Sequence, residues 1–289
     1  MIPPSTYLEV HLVFILPVLA ALAAAAYLRE DAYWGRVPFA GLAVILVLAV
    51  VYTTPWDNLL IEQGVWWYGD GVTLVHFWAA PLGEYLFFVL QPILTALWLY
   101  QLDVPTEVDL RLSWPTRAAG AVAGLTVSAV GVWLLFRSPS TLYLGAILAW
   151  AGPILAIQWA FGWTQLWRAR RAVTIGIAVP TLYLWFVDRT AIALGLWIIS
   201  EQYTVGLAPV GLPVEEALFF LVTNVFIVQG LVLYLWLVDQ WPTVADDVAR
   251  VLPNPLSVFV PAGRSRVDRR DRPSEATPHD RRRGDESGP

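Results

Sequence analysis

The chain has 289 residues, of which 57 % are hydrophobic and only 14 % are charged, with a formal net charge of −5. This composition excludes an ordinary soluble domain and predicts an integral membrane protein. The chain has no Cys and no Lys. Disulfides, thiolate metal sites and cysteine nucleophiles are therefore excluded, and so is a retinal Schiff base.

Seven apolar runs follow in chain order, each long enough or nearly long enough to cross a hydrocarbon core of about 30 Å. They cover residues 8–27, 38–54, 81–100, 118–136, 141–161, 172–187 and 213–238, and no Arg interrupts any of them. The first run lacks a basic segment before it, and six further spans follow, so we interpret it as a membrane helix rather than a signal peptide. The sequence therefore predicts an all-α integral membrane protein with seven transmembrane helices.

The distribution of Arg predicts the orientation. Arg137 and Arg189 are the only Arg residues on the side of the N-terminus, whereas seven Arg residues and the Arg-rich tail lie on the opposite side. Because cytoplasmic loops carry the excess of positive charge, we expect the N-terminus outside a cell membrane and the C-terminus in the cytoplasm. Residues 241–289 are predicted to form a cytoplasmic, mostly disordered tail. Attraction of this tail to anionic lipid is the functional alternative.

Two stretches of the chain repeat each other. Asp57 is followed by a Trp after nine residues and later by Pro81-Leu82-Gly83-Glu84, and Asp188 is followed by a Trp after nine residues and later by Pro213-Val214-Glu215-Glu216. A Phe-Phe pair follows each Glu, and a Tyr that precedes a Pro by ten residues opens each copy. We therefore predict two parallel three-helix repeats, residues 1–112 and 139–240, joined by a linking helix within 113–138. Both carboxyl motifs would then lie near the outer leaflet.

Two segments, 59–80 and 190–212, are too apolar for water-exposed loops and too broken by Gly for regular spans. Their aromatic residues suit the membrane interface, where amphipathic rings anchor. We interpret both segments as interfacial or re-entrant pieces that cap a cavity. Simple aromatic belts are the alternative.

Glu84 and Glu216 carry the strongest chemical signal. Each stands three residues after a Pro that opens a helix, with aromatic rings on the next turn. Loss of hydration against rings and lipid favours the protonated form of a carboxyl group, which is what general acid catalysis near neutral pH requires. A capping acid at a helix N-terminus is the alternative for either Glu alone. Their occurrence as a matched pair favours function.

The other acids of the motifs support the same prediction. Asp57 and Asp188 are expected to close the preceding helices on the same face, where each could hold the protonated Glu or accept a proton later. An ion pair with Arg189 is the alternative for Asp188. Glu215 replaces Gly83 of the first copy and makes the second copy more acidic.

At these residues the chain resembles the membrane-integral lycopene cyclases, which occur as split two-subunit enzymes in some bacteria and as single fused chains in some archaea and fungi. The resemblance covers roughly residues 1–240 and rests on the duplicated Pro-x-x-Glu with its Phe-Phe pair, the preceding Asp and the three-plus-three arrangement. It implies acid–base cyclisation of the ψ end groups of lycopene to β-ionone rings, which gives β-carotene by way of γ-carotene, with no net redox change. It also implies catalytic roles for five acids: Asp57, Glu84, Asp188, Glu215 and Glu216. Gly83 departs from the family, in which a second acid often stands at this position.

Aromatic residues beside the acids are the candidates for substrate binding, because ring quadrupoles stabilise carbocations. With the polar Asn58, they are Trp56, Trp66, Tyr85, Phe87, Phe88, Trp197, Phe219 and Phe220. We expect lycopene and membrane lipid as partners and no nucleic acid. Assembly into a homo-oligomer is an open alternative.

No metal site and no redox cofactor are expected, because the chain has no Gly-rich dinucleotide fingerprint and its three His are scattered. We interpret His11, His76 and His279 as interfacial or tail residues. Two alternatives stay open: a cyclase or hydratase of a related C40 or C50 carotenoid, and a small-solute transporter with the same repeats.

Overall fold

The computed structural model describes residues 4–28, 36–106 and 113–251. The helices are α1 (Tyr7–Val10), which continues through a π-helical turn (His11–Ile15) into α2 (Leu16–Leu28), then α3 (Arg36–Glu62), α4 (Leu82–Leu99), α5 (Trp114–Leu135), α6 (Leu142–Arg168), α7 (Arg170–Ala193) and α8 (Val214–Val251). The strands are β1 (Trp66–Tyr68), β2 (His76–Phe77), β3 (Ala80–Pro81) and β4 (Trp197–Ile199), and 3₁₀ turns lie at Pro139–Thr141 and Pro209–Gly211.

Seven helical segments in the described part of the chain are long and apolar enough to cross a membrane. They are Tyr7–Leu28, Phe39–Glu62, Leu82–Leu99, Trp114–Leu135, Pro139–Arg168, Arg170–Ala193 and Val214–Trp241. Each overlaps one of the seven predicted runs, which confirms the predicted class of all-helical membrane protein. Helix α5 is the fourth span, with three spans before it and three after it.

The second and sixth spans are longer than predicted. Helices α3 and α7 continue to Glu62 and Ala193, so Asp57 and Asp188 lie inside these helices rather than at their ends. The expectation that Asp57 and Asp188 close these helices is therefore wrong, and the segments 59–80 and 190–212 begin with helical residues. The predicted runs stopped short because a hydropathy run ends where charge begins, whereas a helix continues past a carboxyl group that faces an interior cavity.

Helices α3 and α7 both end at a glycine in the same conformation. Gly64 and Gly195 have φ angles of +74° and +71°, a left-handed conformation that glycine adopts without steric cost. In the first copy the Val65 amide donates to the Leu60 carbonyl and the Gly64 amide donates to the Ile61 carbonyl, and the second copy repeats both bonds. This is the Schellman pattern of a helix C-terminus. It turns the chain back across the end of the helix in both copies.

Strands β1 and β4 follow these glycines and pair with each other. The pairing is antiparallel, with Trp66 opposite Ile199, Trp67 opposite Ile198 and Tyr68 opposite Trp197. The central pair, Trp67 and Ile198, occupies matched positions three residues after Gly64 and Gly195. A twofold axis between two halves of a chain produces such a pairing of equivalent strands about equivalent residues.

Each half of the chain packs its first helix against the middle helix of the other half. Tyr52 lies five residues before Asp57 and donates its hydroxyl to the Trp150 carbonyl of α6 at 2.8 Å. Tyr183 lies five residues before Asp188 and donates to the Phe14 carbonyl of the N-terminal helix at 2.6 Å. The two bonds are equivalent, so each half supplies a helix to the other.

The linking helix α5 packs closely on α6 through small residues. A Cβ atom added at Gly124 would lie 2.2 Å from the Ala156 nitrogen, and one added at Gly131 would lie 2.1 Å from the Ala149 nitrogen. Only glycine permits this approach, which is common between helices in lipid.

Helix α8 extends into the predicted C-terminal tail. It runs to Val251, so residues 241–251 of the segment 241–289, which was predicted to be mostly disordered, are helical. Residues 243–251 contain neither Gly nor Pro, so nothing in the backbone stops the helix before Pro253. The rest of the predicted tail lies outside the described residues.

Candidate active site

Four of the duplicated carboxyl groups meet in one cavity of about 60 Å³. Asp57 from α3, Glu84 from α4, Asp188 from α7 and Glu216 from α8 all line it. We call this space the acid cavity. The first turns of α4 and α8 place the two Glu as predicted, and Trp66 and Trp197 of the strand pair form part of its wall.

Helix spacing and burial place these acids away from solvent. Asp57, Asp188 and Glu216 are 3 %, 2 % and 7 % exposed, and Glu84 is half-buried. Electrostatic interactions connect Asp57 with both Glu84 and Glu216, and connect Asp188 with the same two groups. The two copies therefore form one cluster.

Two tyrosines lie at the first glutamate. The Tyr68 hydroxyl donates to Glu84 Oε1 at 2.6 Å, and the Tyr7 hydroxyl lies close to the same carboxyl group. The Trp66 indole N–H donates to the Tyr68 oxygen at 3.2 Å. Burial and the neighbouring Glu84 carboxyl raise the pKa of the Tyr68 hydroxyl above its usual value, so this hydroxyl keeps its proton and remains a donor.

The second copy uses a different set of donors. The Tyr143 hydroxyl donates to Glu216 Oε1 at 2.9 Å, and the Trp197 indole N–H donates to Asp188 Oδ1 at 2.9 Å. Arg189, considered above as an ion-pair partner of Asp188, is exposed and donates instead to the Val210 carbonyl. Asp188 is thus held by an indole group.

Two oxygens of the cluster are buried without a hydrogen-bond partner, namely Asp57 Oδ2 and Asp188 Oδ2. Four carboxyl groups this close cannot all be charged, because like charges repel strongly in a poorly polar interior. The cluster must therefore share protons among its members. A shared set of protonated and ionised carboxyls can both deliver and accept a proton.

Glu215 and Asn58 lie apart from the acid cavity. Glu215 is fully buried, and its Oε1 accepts from the Val205 amide at 2.7 Å. Asn58 is also fully buried, and its Oδ1 accepts from the amides of Ala79 and Ala80, both at 2.8 Å. Both side chains hold the loops that lead into α8 and α4.

Six of the nine residues predicted to bind substrate line the acid cavity: Trp56, Trp66, Phe87, Trp197, Phe219 and Phe220. The rings of Trp56 and Phe219 stack with centroids 5.7 Å apart, and Phe87 meets Phe220 edge to face at 5.8 Å. Tyr85 lies outside and donates to the Phe77 carbonyl. Phe88 is likewise absent from this wall.

Sequence reasoning missed several residues of the site. Tyr7 and Tyr143 open the two repeats, and that duplicated position was the signal that could have identified them. Tyr68 gave no such signal, because Ile199 occupies its position in the second copy.

His11 was also missed as a residue of the site, because it was interpreted only as an interfacial residue. It is 3 % exposed and lines the acid cavity. Its Nδ1 donates to the Tyr7 carbonyl at 3.0 Å, and its Nε2 is buried without a partner. The π-helical turn that begins at His11 immediately follows the helical turn of Tyr7. His76 is exposed, and His279 lies outside the described residues.

The fold and the site define an integral membrane protein with a shared acid cluster walled by aromatic rings. No family profile and no solved structure match the chain. It is 46 % identical over 237 residues to the lycopene beta-cyclase of Halobacterium salinarum, which covers 82 % of this chain and 99 % of that protein. It is 36 % identical to the bifunctional lycopene cyclase/phytoene synthase of Gibberella fujikuroi over 78 % of this chain and 39 % of that protein.

The chain belongs to the lycopene beta-cyclase family. A second fungal relative, the bifunctional lycopene cyclase/phytoene synthase of Podospora anserina, is 33 % identical over 86 % of this chain. The chain spans 44 % of that protein. The family resemblance drawn from the two carboxyl motifs is thus confirmed.

Proposed function

We propose that this chain is a lycopene beta-cyclase that closes the ψ end groups of lycopene into β-ionone rings by acid–base chemistry. The observation that carries the proposal is the convergence of Asp57, Glu84, Asp188 and Glu216 on one cavity with aromatic walls. The lycopene beta-cyclase of Halobacterium salinarum, a relative over most of this chain, supports it.

The reaction needs one proton delivered and one proton removed. A protonated carboxyl group adds its proton to C2 of the ψ end, which leaves a tertiary cation at C1. The C5=C6 bond then attacks C1 and forms the ring, and loss of a proton from C6 to a carboxylate completes the β-ionone ring. One proton enters and one leaves, so the reaction is an isomerisation with no net redox change. A second round at the other end turns γ-carotene into β-carotene.

The walls of the acid cavity suit a carbocation. Each well-placed aromatic ring stabilises a cation by about 0.5–2 kcal/mol, and Trp56, Phe87 and Phe219 face this space. Exclusion of water matters as much, because water that captured the C1 cation would give a hydrated product. Burial of Asp57 and Asp188 to 3 % and 2 % exposure supports such exclusion.

The contacts suggest a division of work among the acids. Glu84 and Glu216, with Asp57 and Asp188, are the candidates for direct proton exchange with substrate. Glu215 is a positioning residue, since its carboxyl group binds the Val205 amide rather than facing the acid cavity.

Both halves of the chain contribute to a single site in this proposal. Residues 1–112 supply Asp57 and Glu84, and residues 139–240 supply Asp188 and Glu216, with the linking helix in 113–138 between them. The distribution of Arg supports a position of the acid cavity near the outer face, with the N-terminus outside and the C-terminus in the cytoplasm. Labelling of terminal tags in intact cells would test that orientation.

Pigment analysis tests the function. Lycopene-producing cells that express the chain should accumulate β-carotene, with γ-carotene appearing first, and cells that express the Glu84→Gln, Glu216→Gln double variant at the same level should retain lycopene. The purified protein in lipid should work without added flavin or NADPH. Unchanged lycopene in the first experiment would refute the function. An absolute requirement for either cofactor would refute the unassisted acid–base mechanism.

A further inference from the structure

A second cavity of about 150 Å³ lies beside the acid cavity, between α3, α4, α6 and α8. We call it the lateral cavity. Leu48, Tyr52, Phe88, Trp150 and Ile154 are among its lining residues. Those on α3 and α4 lie between one and three helical turns from the acids of these two helices, and the other two lie on α6. Leu48 is 56 % exposed on the membrane-facing surface, so the rim of the lateral cavity lies where lipid contacts the protein.

The lining of the lateral cavity is apolar although it includes polar residues. Gln91 donates to the Thr223 hydroxyl at 2.7 Å, Gln158 donates to the Phe226 carbonyl at 2.9 Å, and Tyr52 donates to the Trp150 carbonyl. These donors are used within the protein, and one acceptor of the lining, Gln158 Oε1, is buried without a partner. The described lining is therefore suited to a hydrocarbon, because a single acceptor does not supply the convergent polar groups that a polar ligand needs.

The two cavities share a wall. Phe219 lines both of them, and it stacks on Trp56 of the acid cavity with centroids 5.7 Å apart. Trp56 in turn stacks on Trp150 of the lateral cavity at 4.7 Å. A few aromatic rings therefore separate the acids from the lateral cavity.

The equivalent place on the other side of the twofold axis is filled. Thr53 of the lateral cavity lies four residues before Asp57, and Leu184 occupies the matching position before Asp188. Leu184 is 1 % exposed and packs in a cluster with Ile15, Leu94 and Phe220. The hydrogen bonds of Tyr52 and Tyr183 are equivalent on the two sides, so the difference arises from side chains. In the described part of the chain, the side chains therefore pack differently on the two sides of the axis.

We propose that the lateral cavity binds the polyene chain of the substrate while one ψ end group reacts in the acid cavity. The inference rests on the proposed function, because it takes lycopene as the substrate. A C40 polyene is far longer than its reacting end group, so most of the molecule must lie outside the acid cavity. The lateral cavity offers it an apolar path that shares a wall with the acids and has a rim on the lipid-facing surface.

Entry through the lateral cavity has a consequence for the order of events. The polyene enters from the side of this cavity, so one ψ end reaches the acids while the other end stays in the lateral cavity or in lipid. The second end reacts only after the one-ring product leaves and rebinds in the opposite direction. γ-Carotene is therefore a released intermediate.

Filling the lateral cavity tests the site. Ala49 and Thr53 line it, and Ala49→Phe and Thr53→Leu would reduce its space, the second by introducing the residue type that fills the opposite side. Val47→Phe is the matched control, because Val47 is on the same helix, is 63 % exposed and does not line either cavity. Lycopene and a truncated apo-lycopenal with the same ψ end group are compared as substrates in lipid, after monodispersity of each variant is checked.

The expected result is a loss of at least about tenfold in kcat/KM for lycopene in both filled variants. The truncated substrate should be affected much less, and Val47→Phe should behave as the unsubstituted chain does. Unchanged lycopene turnover in the filled variants would overturn the proposal, and so would an equal proportional loss on both substrates. Failure of the unsubstituted chain on both substrates would refute the proposed function itself.

An isotope experiment tests the one-sided entry. Labelled lycopene is converted in the presence of excess unlabelled γ-carotene, and the label is measured in both γ-carotene and β-carotene. Most of the label is expected in the γ-carotene pool if γ-carotene leaves between the two cyclisations. Label that reaches β-carotene without entering the γ-carotene pool would mean that both ends react during one binding event, which would overturn one-sided entry.

Discussion

Glu84 and Glu216 occupy matched positions on α4 and α8, yet their hydrogen-bond donors come from different parts of the chain. Glu84 accepts from Tyr68 of strand β1, and the Tyr7 hydroxyl lies close to it. Glu216 accepts from Tyr143, the counterpart of Tyr7. Both copies therefore have the glutamate and one tyrosine at matched positions. The donors that differ between the copies come from the strands.

The strands β1 and β4 carry the asymmetry because their equivalent tryptophans serve different groups. The Trp66 indole N–H donates to the Tyr68 oxygen, whereas the Trp197 indole N–H donates to Asp188. In the first copy the indole supports a tyrosine that binds the glutamate. In the second copy it binds the aspartate directly. Such differences allow matched acids to take unequal shares of one reaction.

Separation of the two halves should have the largest effect. Residues 1–112 expressed alone should be inactive, because half of the acid cluster and the Trp150 carbonyl that binds Tyr52 would be absent. Co-expression with residues 113–289 should restore cyclisation, measured as carotenoid content in lycopene-producing cells. Cyclisation by the first half alone would mean that one copy is a complete site, and the proposed shared cavity would be wrong.

Removal of single carboxyl groups should have the next largest effect. Glu84→Gln and Glu216→Gln should each lower turnover by at least about 10²-fold, the low end for loss of a general acid or base. Folding should survive, since Gln has the shape of Glu and carries no charge. Turnover is measured in lipid with the purified variants. Near-normal activity in both would move the proton donor to Asp57 or Asp188.

Substitution of the tyrosines that bind the glutamates should have a smaller effect on turnover and tests how the two copies differ. Tyr143→Phe removes the tyrosine donor described for Glu216, whereas Tyr68→Phe leaves Glu84 with the Tyr7 hydroxyl. A hydrogen bond to a charged group contributes about 1.5–3 kcal/mol, so we expect turnover to fall at least about tenfold in Tyr143→Phe. The loss should be smaller in Tyr68→Phe. The reverse order would show that the strand tyrosine is the more important donor.

The sequence predicted the elements that local patterns determine. Apolar run length predicted the seven spans, and the repeated Pro-x-x-Glu motifs predicted Glu84 and Glu216 in the first turns of α4 and α8. The helix ends near Asp57 and Asp188 were missed because hydropathy does not report which way a carboxyl group faces. In a hydropathy pattern an acid appears only as an interruption of the apolar run.

The partners of the acids depend on contacts between distant parts of the chain. Tyr68 binds Glu84 because β1 pairs with β4, which lies about 130 residues away in sequence. Three-residue strands carry too little periodicity to be predicted. The sequence analysis missed His11 for another reason. A lone His in an apolar run has no repeated counterpart, and only the packing of the first helix against the acid cavity reveals its position.

The last prediction concerns the scaffold that both copies share. Gly64→Ala and Gly195→Ala should destabilise the protein equally, by roughly 1 kcal/mol each, because a residue with a Cβ is strained at positive φ. A Cβ at either position would meet nothing within 4 Å, so the backbone conformation is the sole source of the cost. Equal downward shifts of the thermal unfolding midpoint in lipid are expected. A much larger shift in one copy would mean that the turns are unequal, and that asymmetry begins in the backbone rather than in Tyr68 and Trp197.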